Sequence, residues 1–141
     1  MKPTDGHRVR DIERSAETIR AYMHGMHRGM FDRDRKTQDA VLRQIELIGE
    51  AVKRLSPELK TALPKIPWKR IGGMRDKLAH KYWEVDRDLV WEVSRKHVRE
   101  LATNLRKALR LHKHRKKTVR ELDVEITKIL AKRPFRKKVK P

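Results

Sequence analysis

The chain has 141 residues, 40% of them charged and 5% aromatic, and a formal net charge of +19. That length suits one domain with a modest core, and the absence of cysteine excludes disulfides and thiolate metal sites. No run reaches the ~18 apolar residues of a membrane helix, and Met1-Lys2-Pro3-Thr4-Asp5-Gly6 leads into no apolar signal segment, so the sequence reads as soluble, intracellular and cytoplasmic.

Val9, Ile12, Ala16, Ile19, Met23, Met26 and Met30 recur at alternating steps of three and four. This predicts one amphipathic helix over roughly 6–29, with Gly29 and Phe31-Asp32-Arg33-Asp34 as a stop and loop. A second helix is expected from Thr37, a candidate N-cap, with Val41, Ile45, Ile48, Val52 and Leu55 as its stripe. Gly49 interrupts it, either for close helix–helix approach or by chance. Ser56-Pro57-Glu58 reads as the cap and first turn of a short third helix. Pro67 opens a fourth, whose apolar face is Trp68, Ile71, Met74 and Leu78, weakened at Gly72-Gly73. Asp86 caps a fifth, with Leu89, Val93, Leu101, Leu105 and Ala108 on one side and His97, read as a partly buried structural histidine, in the same stripe. Thr118-Val119-Arg120-Glu121 has a capping-box pattern, and Val119, Leu122, Ile126 and Ile129 outline a short sixth helix closed by Pro134. With no sustained period-two alternation, the expectation is an all-α helical bundle. Residues 1–111 form the domain and 112–141 a basic extension, a short helix and then a disordered end.

The charge is uneven. Arg106 to Pro141 carries 15 Lys+Arg against 3 Asp+Glu. A surface this basic attracts polyanions, commonly nucleic acid.

Arg75-Asp76-Lys77-Leu78-Ala79-His80-Lys81-Tyr82 is the segment richest in chemistry. Arginine grips phosphate with a planar fork of donors, and histidine exchanges protons near neutral pH. On a continuous helix Asp76 and His80 would lie about 40° apart around the axis, so the carboxylate could hold the imidazole. Arg75 and His80 would diverge there, unless the helix frays or a second copy of the site approaches. Such groups suit RNA cleavage: a base takes the 2′-hydroxyl proton, the oxygen attacks phosphorus, and an acid protonates the leaving 5′-oxygen. An arginine stabilises the crowded phosphorane. Spacing alone is a weak signal in so basic a chain.

The wider context is more specific. Asp32-Arg33-Asp34-Arg35-Lys36-Thr37-Gln38-Asp39-Ala40-Val41, Ile48-Gly49-Glu50-Ala51, and Ile66 through Tyr82 resemble the HepT-like proteins (DUF86) of the HEPN superfamily, over about residues 7–110. The resemblance implies a HEPN-type bundle of about five helices, with the short basic helix and tail added to it. It implies a homodimer whose Arg-x4-His motifs face each other in a composite site. It further implies the toxin of a type VII toxin–antitoxin pair: a metal-independent endoribonuclease that needs no cofactor. Its antitoxin would be an MntA-like minimal nucleotidyltransferase, which silences it by adding AMP to Tyr82. By position, Arg75 and His80 are catalytic, Asp76 supports them and Tyr82 is the modification site. An AMP group there adds negative charge and bulk near Arg75.

Two readings compete. The chain could be a catalytically silent partner or substrate of a nucleotidyltransferase, which needs Tyr82 but not His80. It could instead be a basic nucleic-acid-binding helical protein, indifferent to both. The tail could contact RNA phosphates, bind an acidic antitoxin, or be merely solvated. No metal site is read: His24 and His27, three apart on the first helix, lack accompanying carboxylates, and His112 and His114 belong to the basic run. No Gly-x-x-x-x-Gly-Lys loop is present.

Overall fold

The computed structural model describes residues 2–81, 84–110 and 116–132; for 75, 79–81, 84 and 85 it describes the backbone alone. The expected disordered end after Pro134, the His112/His114 run and Tyr82 lie outside the described residues.

Helix α1 (Asp5–Met23) begins at a reciprocal cap. The Thr4 hydroxyl accepts from the His7 backbone N–H, and the Thr4 N–H donates to His7 Nδ1 at 3.0 Å. Val9, Ile12, Ala16, Ile19 and Met23 are buried as the stripe predicts. The helix ends seven residues before the stripe does. Gly25 adopts φ +72°, a left-handed conformation open to glycine, and redirects the chain. Short helix α2 (Arg28–Asp32) comes next, capped by His27 Nδ1. Thus Met26 is only partly buried and Met30 is 40% exposed, while Phe31, expected in a loop, is fully buried. Its ring meets Trp91 at 5.3 Å. Burying a phenylalanine contributes about 1.5–3 kcal/mol, and the Trp91 ring contact adds to it. His24 and His27 consequently do not share a helix.

Helix α3 (Arg35–Arg54) packs along α1 in the most extensive contact of the fold. Its cap is Asp34, whose carboxylate accepts from the Thr37 N–H (3.0 Å) and hydroxyl (2.7 Å). Thr37 is therefore the partner of the cap and not the cap itself. These hydrogen bonds hold the Asp34 carboxyl below its ordinary range. Gln38, buried, donates to the Phe31 carbonyl at 2.8 Å and ties α2 to α3.

Helix α4 (Pro57–Ala62) starts at Ser56 as expected. The Asp5 carboxylate accepts from the Ser56 N–H at 2.8 Å, joining the beginnings of α1 and α4. Helices α5 (Trp68–Gly72) and α6 (Met74–Leu78) replace the single predicted fourth helix, with the break at Gly73. Strands β1 (Ala79–Lys81) and β2 (Glu84–Val85) pair antiparallel with an irregular register. Helix α7 (Arg87–Glu92), capped by Asp86, runs through a π-helical turn, Val93–His97, into α8 (Val98–Leu109). The expected fifth helix thus forms over nearly its whole length, with one inserted residue. From Val93 to Val98 the buried side takes a step of five, and regular steps resume at Leu101, Leu105 and Leu109.

Helix α9 (Val119–Ala131) is the predicted sixth. Its Leu122 and Ile126 enter the same core as the other helices. The Asp123 carboxylate accepts from the Gly6 N–H and the Thr4 hydroxyl, both at 2.8 Å. A Cβ on Gly6 would lie 2.8 Å from the Val119 carbonyl, so glycine permits the approach. Gly49 is less constrained: a Cβ there would meet the Gly72 carbonyl at 3.7 Å, ordinary contact. The architecture is an all-α bundle with one minimal strand pair.

Candidate active site

The predicted motif lies on the segment that turns from α6 into β1. Trp68 fixes its start: the indole N–H donates to the Lys60 and Leu63 carbonyls, each at 3.1 Å, and the side chain is buried. Ile71 seats α5 in the core, and α3 passes beneath Gly72. Met74 is partly buried against the core, and Leu78, fully buried, anchors the end of α6. The Leu78 carbonyl accepts from the Asp86 N–H at 3.0 Å, so the chain that leaves α6 returns beside it. Val85, β-branched, favours the extended path of β2 over further helix.

This backbone revises the local geometry. Arg75 is on α6, between two core-facing positions, and Asp76 is exposed on the same helix. His80 is the middle residue of β1, beyond the helix end. The 40° helical relation between Asp76 and His80 therefore does not hold, because α6 stops at Leu78. A helix-to-strand switch sets Arg75 and His80 on different elements hinged at a buried leucine. Tyr82 is outside the described residues.

Sequence reasoning left a second polar group unconnected to this segment. His97, at the end of the π-helical turn, has an 11% exposed side chain. Arg70 Nη2 lies 3.3 Å from its Nε2, and Glu92 Oε1 lies 3.6 Å from the same atom. His97 and Arg70 line a small recess with Ile71, Met74 and Leu101. The structural reading of His97 fits this placement. The signal in the sequence was the strict step of four through Leu89, Val93, His97 and Leu101, which drifts around an α-helix unless a wider turn resets it.

Residues 12–108 match the family profile described as Ribonuclease HepT-like. The chain belongs to the HepT-like family. It is 36% identical over 101 residues to "Probable ribonuclease HepT" of Thermococcus cleftensis, covering 72% of this chain and 92% of the relative. It is 37% identical over 83 residues to "Putative RNase MJ0127" of Methanocaldococcus jannaschii, covering 59% and 69%. It is 41% identical over 83 residues to "Putative RNase TTE0752" of Caldanaerobacter subterraneus, covering 59% and 74%. No solved structure matches. The HepT-like match includes the whole segment from Arg75 to Tyr82 and ends before α9.

Among the described residues, no three His, Asp or Glu side chains gather as a metal site, and no helix is long and apolar enough to cross a membrane.

Proposed function

We propose that the chain is an RNA-cleaving HepT-like toxin that acts by attack of the substrate's own 2′-hydroxyl. What carries this reading is the HepT-like match across residues 12–108 with Arg75 and His80 inside it. In the reaction a base removes the 2′-hydroxyl proton and the oxygen attacks the adjacent phosphorus. The P–O5′ bond breaks, and an acid returns a proton to the leaving 5′-oxygen. The products are a 2′,3′-cyclic phosphate and a free 5′-hydroxyl. His80 supplies proton transfer, and Arg75 binds the phosphoryl oxygens as charge builds on them. Asp76, exposed nearby, assists through its field.

One motif histidine per chain leaves either the base or the acid without a carrier. A homodimer that brings two motifs together supplies both and gives the composite site. The reaction needs no metal in this scheme. Tyr82 follows His80 by two residues, and AMP addition there by a minimal nucleotidyltransferase antitoxin would set a phosphate and a base against Arg75.

The test is cleavage of single-stranded RNA by the purified chain in excess chelator, beside Arg75→Ala and His80→Ala. Both variants should fold and lose activity. Undiminished cleavage by His80→Ala would remove His80 from the chemistry. Intact-mass measurement after co-expression with a neighbouring nucleotidyltransferase tests the regulation: AMP adducts lost in Tyr82→Phe support it, and unchanged mass contradicts it.

A further inference from the structure

A groove of about 510 Å³ runs between α1 and the π-helical turn and α8. Its floor is apolar, with Ile19, Met23 and Val98 buried. Its walls carry Arg20 from one side and Arg95, Arg99 and Arg106 from the other. The π-helical turn contributes Arg95, and α8 contributes Arg99 and, two turns on, Arg106, to the same side of the groove. Extended phosphates can follow such a row.

Several arginines elsewhere on the surface are paired with acids. Arg28 is held by Asp32 and Asp88, Arg35 lies near Asp39, Arg43 near Glu46 and Arg54 near Glu50. In the groove, neither Arg20 nor Arg99 makes a hydrogen bond or ion pair among the described residues. Arg95 lies over the Trp91 ring, 4.9 Å from its centroid, which orients it without neutralising it. Glu17, the carboxylate in the lining, is taken up by Lys116 at 2.6 Å. Four arginines therefore line a concave surface whose lining acid, Glu17, already has a partner, with Glu13 near Arg106.

The groove is separate from the motif segment. His97, Leu101 and Asn104 turn the other flank of α8 toward α5 and α6, whereas Arg95, Arg99 and Arg106 face α1.

We propose that this groove is an accessory binding site for single-stranded RNA, with Arg20, Arg95, Arg99 and Arg106 holding phosphates and the apolar floor receiving a base. Guanidinium planes suit both tasks, since they fork onto phosphate and stack on bases. The site would grip a strand away from the scissile linkage and raise affinity without sequence choice. The inference rests on the RNA reading of the Arg75–His80 segment and deepens it.

The test uses the full chain and a short 2′-O-methyl RNA oligomer, which binds but resists 2′-hydroxyl attack. Fluorescence anisotropy over a salt series compares the parent, Arg20→Gln/Arg99→Gln, and a charge-matched control, Arg120→Gln/Lys128→Gln on α9. The groove double should bind at least tenfold more weakly. Its slope of log K against log salt should fall by about 1.4, at ~0.7 per phosphate on a single strand. The control should change less than threefold. Equal weakening of both doubles, no weakening of either, or no binding by the parent overturns the proposal. So does tighter binding of a polyglutamate peptide than of RNA in the same groove. A parent that binds the oligomer through the groove yet cuts no unmodified RNA would refute the nuclease reading and leave this site standing.

Discussion

The C-terminal helix and the motif segment are attached to the bundle in opposite ways. Helix α9 lies outside the HepT-like match, yet polar and apolar anchors both hold it. Leu122 and Ile126 are buried, Asp123 accepts from Gly6 and Thr4, Lys117 donates to the Leu109 carbonyl at 3.1 Å, and Arg10 donates to the Lys117 carbonyl at 2.5 Å. The motif segment lies inside the match, and its described anchors are one fully buried leucine, a backbone hydrogen bond from Asp86 and a short strand pair. The difference separates two tasks. A helix that only has to stay in place can spend its polar groups on the protein itself. On the proposed function, a segment that acts on a phosphodiester is best held by its backbone and its apolar positions.

Substitutions can break this contrast. The largest effect is expected at His80, where alanine should lower RNA cleavage by about 10²–10⁴-fold, the range for loss of a proton-transfer group. Thermal unfolding should be little changed where the role of His80 is proton transfer alone. Parallel loss of Tm and activity would show that His80 is structural.

Leu78→Ala should destabilise by about 2–5 kcal/mol, the cost of emptying a fully buried leucine site. Urea unfolding reads this directly, and a change under ~1 kcal/mol would mean that Leu78 does not anchor the segment. Gly6→Ala should cost about 1–3 kcal/mol by forcing α9 away from α1. Its cleavage rate per folded molecule should be retained, which separates the C-terminal anchor from the chemistry.

The smallest effect should come from Glu13. It is half-buried on α1, and its Oε1 has no hydrogen-bond partner among the described residues. Burial pushes its carboxyl above the ordinary glutamate range, against the opposing pull of Arg10. The folded chain thus holds this proton more tightly than the unfolded chain does. The resulting stabilisation is complete below the unfolded pKa and is lost as pH rises through the folded one. Glu13→Gln should therefore raise Tm slightly at pH 7, and that advantage should shrink toward pH 4. An advantage independent of pH would remove the protonation argument.

Much of the bundle was legible because its signals are local. The stripes of α1, α3 and α9 follow helical spacing, and Ser56, Asp86 and Thr118 each sit where a short polar side chain caps the turn ahead. The features that escaped depended on tertiary competition. Met26 and Met30 extend the first stripe in sequence, but Gly25 turns the chain and Phe31 takes the core position opposite Trp91. Asp34, one turn earlier than expected, captures the start of α3. The motif was legible as residue types, but its geometry was not. The end of α6 is set by burial of Leu78 and by the return of the chain at Asp86, neither of which helical periodicity records.

The docking of α9 also changes how the basic tail should be tested. Deleting residues 112–141 would remove Leu122 and Ile126 from the core and mix unfolding with lost charge. Truncation after Lys132 leaves α9 seated and isolates the contribution of residues 133–141.

Attack by the 2′-hydroxyl is measured most directly by cleavage of one RNA in excess chelator, with and without its 2′-hydroxyls. The proposed mechanism predicts a 2′,3′-cyclic phosphate and a 5′-hydroxyl from the ribose strand, no cut in the 2′-deoxy strand, and loss of both products in Arg75→Ala and His80→Ala. Cleavage of the deoxy strand by the parent chain, or equal activity in those two variants, would contradict it.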